Sequence, residues 1–594
     1  MADQTKLTFP ELISASVRSN YNCDALAYAG ETPITYGELE DQVLALISYF
    51  EKLGLQQGDK IAILSANMPN WGIAYLAITF MGAVTVPLLP DFHPNDIKNI
   101  LDHSEVKAIL ISENLVHKID NLASEHLKTR IKLDDFSLIG DISMSTDYQK
   151  EARPVGQYTV EEDDLAAIIY TSGTTGKSKG VMLTHKNICS NAIAGGIVQP
   201  IDETDRCLSL LPLSHTYENT LGLVLPLLGG ACIYYLRKPP TPVVLLPALK
   251  EIKPTIILSV PLIIEKIYRN KVLPTFTGSK LMRTLYRIGP VRKFLNKLAG
   301  KKLLATFGGE LKFFGVGGAK LDATVEKFLQ EARFPYAIGY GLTETAPLLA
   351  GVNPRTIRLE STGPAVEGVE LKINNPDKDT GEGEIWAKGP NIMKGYYKEP
   401  ELTADMITPD GWLKTGDLGV FDKDNFLFIK GRLKNMIVGA NGENIYPEEI
   451  ESVINNFNYV SESLVVEEKG KLVALVHFNK EELEEKYQLY LGIPRHLIPW
   501  FPTCRTLGGS LLAYRAWRQS APDVHAHADP HGRAHRAGLD VFALRACRPL
   551  GRDGGNNGVG ILHEAVHVEG PLAERHTDVR VAIHTELHLA RLAL

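Results

Sequence analysis

The pattern of apolar and polar positions already divides the chain into elements. DKIAILSANMPNW, from Asp59, holds the short apolar block Ile61–Leu64, closed by a polar turn. Such a block reads as a strand buried on both faces. YLAITFMGAVTVPLLP, residues 75–90, reads as a buried helix running into a strand that a proline closes. LKINNPD and GEIWAKGP, at 371–377 and 383–390, read as strands with Asn, Pro and Gly turns. LGLVLPLLGGACIYYL, residues 221–236, is the longest uncharged apolar run. It is shorter than the ~20 residues of a bilayer span, and Pro226 and Gly229-Gly230 interrupt it, so it reads as core. Strand and helix patterns alternate throughout the front of the chain. This predicts an α/β fold: a large N-terminal domain of layered, largely parallel sheets and helices.

The character changes twice. Around 430–434, IKGRLKNMIVGANGENIYPEEIESVINNF combines a basic turn, a Gly/Asn loop and a helix begun by Pro447 with Glu448 and Glu449, which suit a helix N-terminus and its dipole. The expected domains are therefore 1–432 and a small, here incomplete, α+β domain over 433–490. After Tyr490 there is no lysine, while 12 arginines and 10 of the 17 histidines fall there. Stretches such as PDVHAHADPHGRAHRAGLD show neither helical nor strand period. The tail 491–594 reads as a shifted reading frame or a chimeric gene. A His-rich tract can bind metal, but no fold signal fixes His525, His527, His531 and His535.

At 594 residues the chain exceeds one ordinary core. A net charge of −7 argues against a general nucleic-acid binder. The six cysteines are scattered with no CxxC, which suits a reducing compartment and offers neither a disulfide frame nor a zinc site. The start, MADQTKLTFPELI, has no apolar signal-peptide core. A cytoplasmic protein is expected, with peripheral membrane contact left open.

The candidate chemistry begins at YTSGTTGKSKG, residues 170–180. It lies between an apolar strand, Leu165–Tyr170, and a strand end leading to a helix. Glycines let backbone amides approach an anion, and hydroxyls and lysines add donors and charge, so the loop reads as a phosphate cradle. It is not a Walker A loop, because Gly173 precedes Gly176 by only three residues. Composition alone would equally allow a flexible surface loop.

The full string TSGTTGKSKG closely resembles the signature loop of the adenylate-forming superfamily of acyl-CoA synthetases, luciferases and peptide-synthetase adenylation domains. GYGLTETAP at 339–347 resembles its nucleotide and magnesium motif, WLKTGDLG at 412–419 its ribose motif, GRLKNMIV at 431–438 its hinge, and GENIYPEEIE at 442–451 its small-domain entry. The order is the family's, and the resemblance covers roughly residues 5–488. LSLLPLSHTYENTLGL at 208–223 resembles the bacterial long-chain fatty acyl-CoA synthetases, and the aspartate with which peptide synthetases pair an amino group is missing.

The resemblance implies an ATP- and Mg²⁺-dependent ligase that makes acyl-AMP from a fatty acid and transfers the acyl group to CoA. Thr171, Ser172, Gly173, Thr174, Thr175, Gly176 and Lys177 would wrap the phosphates. Thr343 would meet the α-phosphate, and Glu344 would hold Mg²⁺, with Tyr340 and Gly341 of the same motif at the nucleotide. Asp417 and Arg432 would bind the ribose. His215 would line the channel to the acyl carboxylate, and Gly317, Gly318 and Ala319 would wall adenine from acyl chain. Lys434 would be the hinge between half-reactions, with Gly442 and Glu443 facing the thiol.

The pattern breaks after about Lys486, and nothing matches the lysine near the family's C-terminal end that serves adenylation. Arginine, a planar fork, does not replace a compact ammonium. Two other readings therefore stand beside the CoA ligase: a ligase for a carrier-protein thiol, and a catalytically defective nucleotide- or acyl-binding homologue.

Overall fold

A computed structural model describes residues 6–120, 122, 124–140, 158–171, 178–438, 444–455, 460–468, 471–478 and 579–584. They form two compact units, divided at Lys430.

The first unit contains two large sheets. One orders its strands Leu348–Gly351, Tyr336–Gly341, Phe313–Val316, Ile256–Ser259, Arg206–Leu208, Cys232–Tyr235, Asp24–Tyr28 and Ile34–Thr35. The pairs from Tyr336–Gly341 through Asp24–Tyr28 are parallel, and the two edge strands are antiparallel. The other sheet runs Gly395–Tyr396, Lys179–Thr184, Leu165–Thr171, Val84–Leu88, Lys60–Leu64, Ala108–Ile111 and Thr129–Lys132. Its pairs are parallel from Leu165–Thr171 onward and antiparallel before it.

The local causes are plain. Ile61–Leu64 is buried on both faces, as its unbroken apolar block requires. Helix Tyr36–Lys52 begins with a capping box between Thr35 and Glu38 and buries Leu39, Val43, Leu46 and Phe50. Helix Pro69–Phe80 is apolar on every side, and Trp71 and Tyr75 stack within it at 5.3 Å between centroids. Such a helix must lie inside. One core indeed joins Ile61 and Ile63 of one sheet to Leu26 and Ile233 of the other through Trp71, Tyr75 and Ile188. The apolar run from Leu221 becomes a π-helix, Asn219–Val224, a short helix, Leu225–Gly229, and the buried strand Cys232–Tyr235. Among the described residues no helix is long and apolar enough to cross a membrane.

A smaller antiparallel sheet orders Glu370–Asn374, Gly383–Lys388, Leu413–Phe421 and Leu427–Arg432. Its last strand carries the chain into the second unit. There the helix Pro447–Ile454 packs Ile450 and Ile454 against Val465, Ala474 and Val476 of the antiparallel strands Val460–Glu468 and Lys471–Phe478. The tail, read from the sequence as a shifted frame or a chimeric gene, supplies the strand Val579–His584, parallel to Lys471–Phe478.

Candidate active site

The glycine-rich loop lies between the strand and the strand end expected on either side of it. Leu165–Thr171 pairs antiparallel with Lys179–Thr184, with Thr171 opposite Lys179, and the helix starts only at His185. The loop therefore joins two strands of a hairpin. Ser172, Gly173, Thr174, Thr175, Gly176 and Lys177 lie outside the described residues. Thr171 is half-buried at the strand end.

The base of that hairpin is tied to Glu344. Gly395–Tyr396 pairs with Met182 and Val181 on the far side of Lys179–Thr184. The Tyr396 hydroxyl donates to Glu344 Oε1 at 2.7 Å, and the Met393 amide donates to the Glu344 carbonyl at 2.9 Å. The Lys179 ammonium sits 5.5 Å from the centre of the Tyr396 ring. Desolvation and the Glu344 charge both hold the Tyr396 phenol protonated, so it stays a donor.

Thr343–Thr345 form one 3₁₀ turn between Tyr336–Gly341 and Leu348–Gly351. The turn is pinned from several sides. Asn391 Nδ2 donates to the Thr345 carbonyl at 2.8 Å, Thr345 Oγ1 accepts from the Leu342 amide at 2.9 Å, and Asn191 brackets Leu348 with both amide atoms. Gly341 is required by space: a Cβ there would lie 1.8 Å from the Pro347 carbonyl oxygen. Thr343 and Glu344 are thus held at a strand end, half-buried.

Asp417 meets the same strand. It is 5% exposed, and its Oδ2 accepts from the Tyr340 hydroxyl at 2.8 Å. Its amide donates to Thr415 Oγ1 at 3.1 Å, and Thr415 in turn donates to the Ile385 carbonyl at 2.7 Å. The nucleotide motif and the ribose motif therefore share a hydrogen bond.

Gly317 is buried, and Gly318 and Ala319 are exposed just beyond the strand Phe313–Val316. The Tyr217 ring covers this strand end. A Cβ on Gly317 would stand 3.0 Å from it, and one on Gly315 3.0 Å from its hydroxyl. Behind Tyr217 lies an apolar cavity walled by Leu221, Leu225, Leu258, Ile338 and Gly351, among others. It shares the strand Tyr336–Gly341 with the Tyr340–Asp417 pair.

His215 caps the short helix Thr216–Glu218 without a side-chain capping bond and is exposed, although the surrounding protein disfavours its charged form. Arg432 and Lys434 are exposed in the second unit, where the Asn435 and Met436 amides close a turn on the Arg432 carbonyl. Gly442 and Glu443 lie outside the described residues, as do His525, His527, His531 and His535.

Sequence reasoning missed Tyr396, Tyr217 and Glu218. Tyr217 and Glu218 stand in the same PLSHTYE string as His215. Burial pushes the Glu218 carboxyl up to about 8, while Ser209 Oγ donates to it at 2.6 Å. Tyr396 has no signal of its own in NIMKGYYKEP; only strand pairing brings it to Glu344.

The donor set can be tested against a divalent cation. Glu344 presents one carboxylate, oriented by the Tyr396 phenol. Mg²⁺ is usually held by one or two carboxylates together with substrate phosphates and water, and a lone oriented carboxylate fits that habit. Among the described residues no three His, Cys, Asp or Glu converge as a stand-alone metal cage.

The fold and site define an α/β nucleotide-type enzyme, and comparison with known proteins gives the family. The model of the AMP-binding enzyme family matches residues 15–397. Fatty acyl-CoA synthetase A of Dictyostelium discoideum is 29% identical over 448 residues, covering 70% of this chain and 67% of that protein. Long chain acyl-CoA synthetase 6, peroxisomal, of Arabidopsis thaliana is 30% identical over 488 residues, covering 76% and 69%. 4-coumarate–CoA ligase 1 of Petroselinum crispum is 30% identical over 459 residues, covering 74% and 77%. The crystal structure of ATP-bound MatB from Rhodopseudomonas palustris superposes with a TM-score of 0.66 at 25% identity, covering 80% of this chain and 89% of that one. The chain belongs to the AMP-binding enzyme family.

Proposed function

We propose that this protein activates a long-chain fatty acid with ATP and passes the acyl group to CoA, releasing AMP and pyrophosphate. The observation that carries the reading is the apolar cavity behind Tyr217, which shares a strand with the Tyr340–Asp417 pair. An apolar chain and a nucleotide would then meet at one strand end.

The acid's carboxylate is a poor acyl donor until it displaces pyrophosphate from the α-phosphate. In-line attack of one anion on another needs positioning and charge neutralisation more than covalent help. The loop from Thr171 to Lys177 would cradle the β- and γ-phosphates, and Thr343 would donate to the α-phosphate. Asp417 would accept from the ribose hydroxyls, kept in place by Tyr340. Mg²⁺, when bound, supplies charge neutralisation, and Glu344 would hold it, with its carboxylate aimed by Tyr396. Tyr217 over Gly315 and Gly317 would divide adenine from acyl chain. Arg432 would reach the ribose, and Lys434 would be the hinge about which one site serves two steps. His215 would line the acyl entrance. The thiol then attacks acyl-AMP and AMP leaves.

The test is incubation of the purified chain with palmitate, Mg-ATP and CoA, following pyrophosphate and palmitoyl-CoA by mass spectrometry. Palmitate-dependent formation of both is expected. Binding of ATP without either product would overturn the ligase reading in favour of a nucleotide-binding homologue. Product only with an aromatic acid would overturn the fatty-acid assignment.

A further inference from the structure

We propose that the helical segment 261–306 is a docking surface for anionic lipid bilayers. Between Lys266 and Gly309 the sequence has 11 Lys and Arg and no Asp or Glu. In a chain of net charge −7 this is a strong local reversal.

Two helices carry the surface. Each has its inner side already satisfied. In Lys280–Arg287, Tyr286 stacks on Phe276 at 4.7 Å and donates to Asn296 Oδ1 at 2.8 Å. In Gly289–Thr306, Asn296, Gly300 and Leu303 are buried, and Gly300 lies so close to Ala332 that a Cβ would meet its carbonyl oxygen at 2.4 Å. Arg292 is paired with Glu331 at 2.9 Å.

The outer sides remain unpartnered among the described residues. Leu281 is 69% exposed, Ile288 48%, Phe294 62% and Leu298 44%. Phe294 and Leu298 are one turn apart and form a stripe along the longer helix, while Leu281 lies on the shorter helix and Ile288 in the extended junction between the two. A basic stripe runs beside each: Lys293, Lys297 and Lys301 on the longer helix, Lys280, Arg283 and Arg287 on the shorter. All six are exposed and pair with no carboxylate among the described residues. Lys293 and Lys297 also border an open surface notch of about 370 Å³ that Phe294, Gln330, Arg333 and the Arg292-paired Glu331 line as well.

An apolar stripe flanked by cations is the signature of a helix lying in the headgroup plane. The apolar side chains enter the acyl boundary, while the long lysine and arginine stems let their charges remain at the phosphates. A nucleic acid would match the charge but leave Leu281, Ile288, Phe294 and Leu298 in water. The inference does not depend on catalysis, but it complements it, because long-chain acids partition into membranes.

The full chain would be mixed with vesicles of phosphatidylcholine alone, or of phosphatidylcholine with phosphatidylglycerol, and bound protein separated by flotation. Binding is expected only to the anionic vesicles and should fall steeply with added salt. K293Q/K297Q should weaken it about fivefold per lysine removed, and F294S/L298S should weaken it further at high salt. Equal or absent binding to both vesicle types would overturn the proposal. So would unchanged binding by both variants, or a duplex oligonucleotide that binds this face equally and displaces the vesicles. A thermal melt identifies any unfolded variant; the lysine pair, replaced at exposed positions, decides the matter if the apolar pair fails to fold. Vesicle binding needs no turnover, so loss of ligase activity leaves this test readable.

Discussion

The Tyr340 hydroxyl and the Asp417 carboxylate meet at 2.8 Å across 77 residues of chain. One comes from the strand Tyr336–Gly341, the other from Leu413–Phe421, in a different sheet of the same unit. The bond fixes one Asp417 oxygen in place.

Removing that bond tests the ribose assignment. A hydrogen bond to a charged group is worth about 1.5–3 kcal/mol, so Tyr340→Phe should raise the KM for ATP roughly tenfold or more, with little effect on the KM for fatty acid. Asp417→Asn should be worse on the same axis. Steady-state pyrophosphate release with each substrate varied separately reads the split; equal effects on both substrates would sink the assignment.

Glu344 and Tyr396 give a second contrast. Glu344→Gln should raise the Mg²⁺ concentration needed for half-maximal ATP binding about tenfold or more, and Tyr396→Phe less, since it removes only the orienting bond. Calorimetric titration of ATP at several Mg²⁺ concentrations measures this without turnover. Stripping the cation with a chelator should abolish product.

The cavity offers a gain-of-shape experiment. A Cβ on Gly351 would have its nearest neighbour at 3.6 Å, an ordinary contact, and would point among the cavity-lining residues. Gly351→Ala should fold normally and Gly351→Val should narrow the cavity, lowering kcat/KM for palmitate while sparing octanoate. Competition between the two acids reads the shift. A parallel fall for both chain lengths would separate the cavity from the acyl chain.

Stability at the Gly341 turn should respond sharply. Gly341→Ala places a methyl 1.8 Å from the Pro347 carbonyl, and overpacking of that kind costs about 1–3 kcal/mol or more. A lowered Tm, with ATP binding lost alongside it, is the expected result.

Glu218 predicts a pH dependence of stability. Burial raises its folded-state pKa to about 8, against ~4.3 in an unfolded chain. Below the unfolded value both states are protonated and the stabilising contribution is whole. Between about 4.3 and about 8 the unfolded chain has given up its proton while the folded one keeps it, so the contribution falls steadily and is gone by about pH 8. Glu218→Gln should therefore match the parent near about pH 4 in thermal melts and become relatively more stable as pH rises toward about 8. A difference independent of pH would contradict the raised pKa.

Much of this was legible in the chain. The apolar blocks gave the buried strands at Lys60–Leu64 and Val84–Leu88 and the helix Pro69–Phe80, because a segment buried on all sides needs no partner to declare itself. The order of TSGTTGKSKG, GYGLTETAP and WLKTGDLG gave the family. Other readings turned on pairing. The strand end expected after the loop is there, but only its pairing shows that Lys179–Thr184 folds back antiparallel on Leu165–Thr171. The strand Val579–His584 escaped notice because its partner lies a hundred residues away.

What the sequence determined by itself was local and chemical: which segments are apolar, where turns fall, which short strings carry donors and carboxylates. What only the tertiary structure decided was adjacency. Tyr396 beside Glu344, Tyr340 on Asp417, Tyr217 over Gly315 and Gly317, and the outward stripes of 280–306 all depend on which surfaces face each other. Side-chain identity sets what a residue can bond to, but packing across sheets and helices selects which partner it gets, and no spacing along the chain encodes that distance.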